Sequence, residues 1–156
     1  MARAIDLHQS DQEHAMPYRE KIAWLTLGSM IVAYSLYFGL ILAGHPAGRE
    51  MFPMLWLFGS IAATQALVVI AGHIVLATTT PRAERRRRDE RDRAIGRRGA
   101  AAAYYVMMAG MILVGVVMPF TDTGVKIANA ALFAIVLAET VSLTVVLLSY
   151  RRGWHG

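Results

Sequence analysis

The amino-acid sequence predicts an all-α integral membrane protein, a four-helix bundle of up-down-up-down topology with both termini on the cytoplasmic side. Three observations carry this expectation. Of 156 residues, 56% are hydrophobic, and the mean hydropathy of +0.42 exceeds what the core of a soluble domain this size requires. Four apolar stretches, 22–43, 52–77, 100–120 and 127–150, each reach the roughly 20 residues that cross a hydrocarbon core of about 30 Å. The basic residues near the span ends also divide unevenly, with fourteen beside the N-tail, middle loop and C-terminus against Arg49 and Lys126 in the two short turns. Arginine and lysine concentrate on the cytoplasmic side of a membrane protein, which sets the orientation.

Residues 1–20 lack a basic start followed by an apolar run, so they read as a polar cytosolic tail and not as a cleaved signal. The first span follows directly. Gly44, Pro46 and Gly48 then break the chain into a turn, and Thr121, Asp122 and Gly124 do the same between the third and fourth spans. Connections this short make spans 1 and 2, and spans 3 and 4, antiparallel neighbours. Tyr18, Trp24, Tyr150 and Trp154 fall near the inner interface, and Phe52, Trp56 and Phe120 near the outer one, as interfacial aromatics do.

The middle loop, 78–99, is the outlier. Its segment 82–98 holds nine arginines against Glu84, Asp89, Glu90 and Asp92, and the net +5 equals the charge of the whole chain. The sequence pI near 10 therefore reports one local patch. Thr80 and Pro81 form a suitable N-cap and N1 pair, and Glu84/Arg88, Arg85/Asp89, Arg86/Glu90, Arg88/Asp92 and Asp89/Arg93 stand at i,i+4. A cytoplasmic helix over 80–98, running into the third span, is expected. Beyond setting topology, the segment can bind anionic lipid headgroups or a protein partner. Nine arginines with no lysine and four interleaved acids favour specific bidentate pairing, and Arg85, Arg86, Arg88, Asp89, Glu90, Arg91, Asp92, Arg93, Arg97 and Arg98 are the candidate docking residues. No aromatic residue is interleaved between Arg82 and Arg98, which argues against direct nucleic-acid contact.

Polar residues inside the spans are the other candidates. Glu139 lies about twelve residues into the fourth span, near the midplane, where an acid disfavours insertion by roughly 2.5 to 3.5 kcal/mol. It should therefore face the bundle interior. Gln65 sits at matching depth in the second span and is its natural partner, either as interhelical glue or as part of a proton or ligand site. His73, one turn from the inner end of the second span, either bonds a backbone carbonyl or ligates haem or contacts a quinone. No second histidine occupies a span, and only Met107 or Met108 offers an axial partner. Ala130, Ala134, Ala138 and Ser142 form a small-residue stripe for close helix approach, and Gly110 and Gly115 thin the third span.

The chain has no cysteine, which removes thiolate metal sites and cysteine nucleophiles. It also lacks GxxxxGK[ST], GxGxxG after a strand and HExxH, so neither an enzyme nor a metal site is expected.

Three passages in order, Met16-Pro17-Tyr18-Arg19-Glu20-Lys21 with Ala23-Trp24, Asp89-Glu90-Arg91-Asp92-Arg93 with Arg97-Arg98-Gly99 and Tyr104-Tyr105, and Ala138-Glu139 with Tyr150-Arg151-Arg152-Gly153, resemble an uncharacterised family. Its members are small four-span bacterial membrane proteins with a DERD-type cytoplasmic loop motif. The resemblance implies gene neighbourhoods with helix-turn-helix regulators, and hence a membrane partner that holds or informs a cytosolic regulator. It maps Asp89, Glu90, Arg91 and Asp92 onto the loop motif and Glu139 onto the intramembrane acid. The sequence thus leads to a non-enzymatic regulatory or scaffold protein whose loop docks a cytosolic partner. The alternative is a small transporter or lipophilic-ligand binder using Glu139, with oligomerisation supplying the room that four short helices lack.

Overall fold

The structure, a computed structural model, describes residues 18–81 and 90–152, with the backbone alone at Arg91. The fold is all-α. Four helices long and apolar enough to cross a membrane make up the described residues: α1 (Tyr18–Leu42), α2 (Met51–Thr79), α3 (Glu90–Ile112) and α4 (Gly124–Arg151). The predicted spans are thus present. At 29 residues, α2 is about 43 Å long and outreaches a hydrocarbon core of about 30 Å.

Local chemistry explains each boundary. Gly44 takes φ +82°, and the amides of Gly44 and His45 return to the carbonyls of Ile41 and Leu40, closing α1 in the way a left-handed glycine allows. His45 then caps the 3-10 turn Pro46–Arg49, its Nδ1 accepting from the Ala47 amide at 3.2 Å. At the far end of α2, Thr80 is the C-cap, with extended backbone and its amide on the Leu76 carbonyl. Proline disfavours helical backbone in the residue before it, so α2 ends there; the loop helix that Thr80 and Pro81 were expected to start falls on 82–89, outside the described residues. These eight positions supply at least one member of every expected i,i+4 pair. From Glu90 onward the end of the arginine segment and the third span are one continuous α3. Its end is irregular, with a π-helical turn at Leu113–Val117 and a 3-10 turn at Met118–Phe120, because Pro119 lacks the amide that would continue the ladder and its ring crowds the preceding turn.

The helices pack in the order α2, α1, α4, α3. The short-turn pairs α1/α2 and α3/α4 are neighbours as expected, α1 and α4 join the two pairs, and α2 and α3 do not pack on each other. The N-terminal end of α1, the start of α3 and the C-terminal end of α4 meet at one end of the bundle, through contacts among Arg19, Asp92 and Tyr150. The core there is Ala23, Leu27 and Leu147, against which Leu143 and Val146 pack. Near the opposite end, Tyr37, Phe38, Phe58 and Phe133 form an edge-to-face cluster with centroids 4.9 to 5.2 Å apart.

The small-residue stripe works as the sequence suggests. Ala134 and Ala138 are buried, and a Cβ added at Gly110 would stand 2.6 Å from the Ala134 Cβ. Gly99 is a second such site, where an added Cβ would meet the Ser142 carbonyl at 2.9 Å and Val146 at 2.8 Å. Gly115, by contrast, meets nothing within 4 Å. Gly110→Ile should therefore lower thermal stability in detergent by about 1 to 3 kcal/mol through overpacking, whereas Gly59→Ile, with open space around it, should not. Equal effects of the two would contradict this packing.

Candidate functional site

The sequence places a run of charge where the third span begins, and the structure shows what one member of that run does. Asp92, two residues into α3, faces inward with only 15% of its side chain exposed. Its Oδ1 accepts the Tyr150 hydroxyl of α4 at 2.8 Å, and its Oδ2 pairs with the Arg19 Nε of α1 at 3.3 Å. One carboxylate thus joins three helices. Ile95, wholly buried one turn further on, and Gly99, where the α4 backbone comes close, hold α3 against α4 so that Asp92 can reach Tyr150. The Arg151 guanidinium lies 5.1 Å over the Trp24 ring and makes a second α1 to α4 link at the same end.

The remaining docking candidates behave differently. Glu90, Arg93, Arg97 and Arg98 are exposed on the first three turns of α3. Arg85, Arg86, Arg88 and Asp89 lie outside the described residues, as does the side chain of Arg91. Within the loop motif, Asp92 is turned toward the bundle and its neighbours Glu90 and Arg93 away from it.

Glu139 does not face the bundle interior. It is exposed, although Ala138 beside it is 2% exposed. One residue along a helix is a turn of about 100°, so burial of the small-residue stripe against α3 carries Glu139 out of that interface. Glu139, Leu143, Val146 and Tyr150 follow one another at spacings of four, three and four, and so share one face of α4. On that face a cavity of about 350 Å³ lies between α1 and α3, which flank α4 and meet through Arg19 and Asp92; Arg19, Thr26, Asp92, Leu143, Val146 and Tyr150 are among its lining. Glu139 continues this face one turn beyond Leu143. The acid is therefore exposed on the α4 face that lines the cavity but lies beyond its lining.

The expected Gln65 to Glu139 pairing is not formed. Gln65 Nε2 donates instead to the Ser29 hydroxyl at 3.4 Å. The reason is packing order: α2 lies along α1, and it approaches α4 only near the turn end, where Met54 and Asn129 meet. The Gln65/Ser29 pair sits in an apolar groove of about 490 Å³ on the α1/α2 face, with Leu36, Ile61, Thr64 and Val68. His73 is half-buried, and its Nε2 is buried with no hydrogen-bond partner among the described residues. Since α2 and α3 do not pack together, Met107 and Met108 do not stand across from it. Among the described residues no group of three or more histidine or acidic side chains is placed to hold a metal ion.

One polar site escaped the sequence reading. Tyr37 is wholly buried and donates to Asn129 Oδ1 at 2.7 Å, while Asn129 Nδ2 donates to the Val125 carbonyl at 3.1 Å and contacts the Met54 sulfur. This network links α1, α2 and α4 at the turn end. An amide six residues into an apolar helix was a signal of the same kind as Gln65.

Searches against protein families, characterised proteins and solved structures each found no match. The residues and their geometry therefore carry the functional argument.

Proposed function

We propose that the chain is a non-enzymatic regulatory or scaffold protein of the bacterial inner membrane, with termini and arginine loop in the cytoplasm, whose loop docks a cytosolic protein. A helix-turn-helix transcription regulator is the partner class that the family resemblance implies. The observation that carries this reading is the Asp92 contact with both Arg19 and Tyr150. Where the loop enters the membrane it is fastened to α1 and α4, so force or charge applied by a partner to the loop reaches two other spans. The exposed Glu90, Arg93 and Arg97 supply opposite charges on the same helical root, suited to ion pairing with a folded partner.

The test uses as partner a helix-turn-helix regulator of the class that the resemblance implies. Glu90→Ala/Arg93→Ala/Arg97→Ala should reduce its capture on the full chain in nanodiscs at least tenfold, since several charged contacts of about 1 kcal/mol or more are removed together. Capture equal to wild type would end the docking proposal.

A second reading is favoured by one observation, the exposure of Glu139 on α4, one turn beyond Leu143 at the edge of the cavity between α1 and α3. An acid that no other span covers suits a small transporter or a receptor for a lipophilic ligand that enters sideways from the bilayer. The two readings are compatible, because Glu139 shares its face of α4 with Tyr150, which Asp92 holds.

A further inference from the structure

We propose that the groove between α1 and α2 is the interface of a two-fold dimer, in which the Gln65 amides of two copies of this chain hydrogen-bond to each other across the axis. The interface lies in the middle of the spans and does not involve the loop.

The unpaired half of one amide carries the inference. Gln65 is the middle residue of the 29 that form α2, so it stands far from the headgroups and water at either end of the span. Its one hydrogen bond among the described residues is the 3.4 Å donation from Nε2 to the Ser29 hydroxyl. A primary amide carries two N–H donors and a carbonyl acceptor, so one N–H and the Oε1 are left in hydrocarbon, where unpaired polar groups are strongly disfavoured. The neighbouring hydroxyls are already engaged, Ser29 donating to the Thr26 carbonyl at 3.0 Å and Thr64 to the Ser60 carbonyl at 2.9 Å.

Depth restricts what can reach that amide. Acyl chains bring no hydrogen-bonding group to the middle of a bilayer. A second copy does, because a two-fold axis along the membrane normal keeps both chains in the same orientation and sets each residue opposite others of its own depth. An amide both donates and accepts, so two of them close a reciprocal pair of N–H···O bonds without charge repulsion.

The shape of the groove, about 490 Å³, suits the same contact. Gly28, Ser29 and Ala33 keep its α1 side low. A Cβ added at Gly28 would meet nothing within 4 Å, so within one chain the space beside it is open. Rotation about the axis sets α1 of each copy against α2 of the other, where small residues let backbones approach and the exposed Val32 and Leu36 add apolar contact. Helix α2 gains most from such cover, since among the described residues Met54 is its one buried position.

The test is Förster transfer between donor- and acceptor-labelled full chains in phosphatidylcholine vesicles, with bleaching steps of single molecules to count the copies. The chain has no cysteine, so Gly156→Cys carries the dye in every variant. The otherwise unchanged chain should associate and bleach in two steps. Gly28→Ile, which one chain accommodates in open space, should weaken association at least tenfold by standing in the way of the second copy. Gly59→Ile, equally open but outside the lining of the groove, should leave association unchanged, so a general effect of added bulk is distinguished. Gln65→Leu should weaken it about tenfold. Full association in Gly28→Ile, or equal loss in the two glycine variants, would overturn the interface. Loss in Gly28→Ile with full association in Gln65→Leu would overturn the amide pairing. Single bleaching steps at every protein density would overturn the dimer and leave the groove to lipid or a lipophilic ligand.

Discussion

Replacing Asp92 with alanine should release the root of the arginine loop from two spans at once. The carboxylate is largely shielded, and it accepts a phenol hydrogen bond at 2.8 Å while pairing with a guanidinium at 3.3 Å. Hydrogen bonds to charged groups contribute about 1.5 to 3 kcal/mol, so Asp92→Ala should lower stability by about 2 to 4 kcal/mol once the Arg19 pair is included. Trypsin reads the local consequence, since loop arginines are its cleavage sites: the variant should be cut after Arg93 and Arg97 several times faster than wild type. Asp92→Asn separates the two contacts. An amide oxygen still accepts from Tyr150, so only the Arg19 pairing is lost, and because Arg19 is 45% exposed that loss should be about 1 kcal/mol or less. Identical cleavage rates in wild type and Asp92→Ala would mean that the carboxylate does not hold the loop root.

Glu139→Leu should stabilise the protein in the membrane, in the opposite direction to most substitutions of buried polar groups. Glu139 is exposed, with no partner shown, on a helix whose neighbouring Ala138 is buried. Exchanging an acid for leucine near the midplane favours insertion by about 3 kcal/mol. Gln65→Leu should instead destabilise by about 0.6 to 2 kcal/mol, because Gln65 bonds Ser29 across α1 and α2. A lipid-soluble carbodiimide adds a check on access: it should modify Glu139 in the intact membrane protein and spare the Glu139→Gln variant. If Glu139→Leu proved strongly destabilising and the carbodiimide failed to react, the acid would be interhelical glue. Loss of proton-coupled or ligand flux in Glu139→Gln proteoliposomes would then separate a transport role from mere exposure.

The four spans were legible because a bilayer makes one demand of each, a long apolar run, and both short turns carry glycine or proline where the helices must stop. The stripe from Ala130 to Ser142 was legible for a related reason, since close helix approach needs small residues at four-residue spacing. Packing order was not. Nothing in the sequence states that α1 and α4 join the pairs while α2 and α3 stay apart, so depth alone matched Gln65 to Glu139. Ser29, the partner Gln65 has, is a weak signal in a membrane helix. Asp92 was grouped with the other docking candidates, because a dense run of arginine and acid offers no sign of which member turns inward. Tyr150 and Arg19 could have given that sign, as both lie at the same end of the bundle as Asp92.

A double-mutant cycle on Asp92 and Tyr150, with thermal unfolding of the full chain in nanodiscs as readout, tests the central claim that the loop root is fastened to the bundle. Asp92→Ala, Tyr150→Phe and the pair are compared with wild type. A direct hydrogen bond predicts coupling of about 1 to 2 kcal/mol, so that Tyr150→Phe adds little once Asp92 is gone. Fully additive losses would contradict the tie and, with it, the route from the loop into the spans.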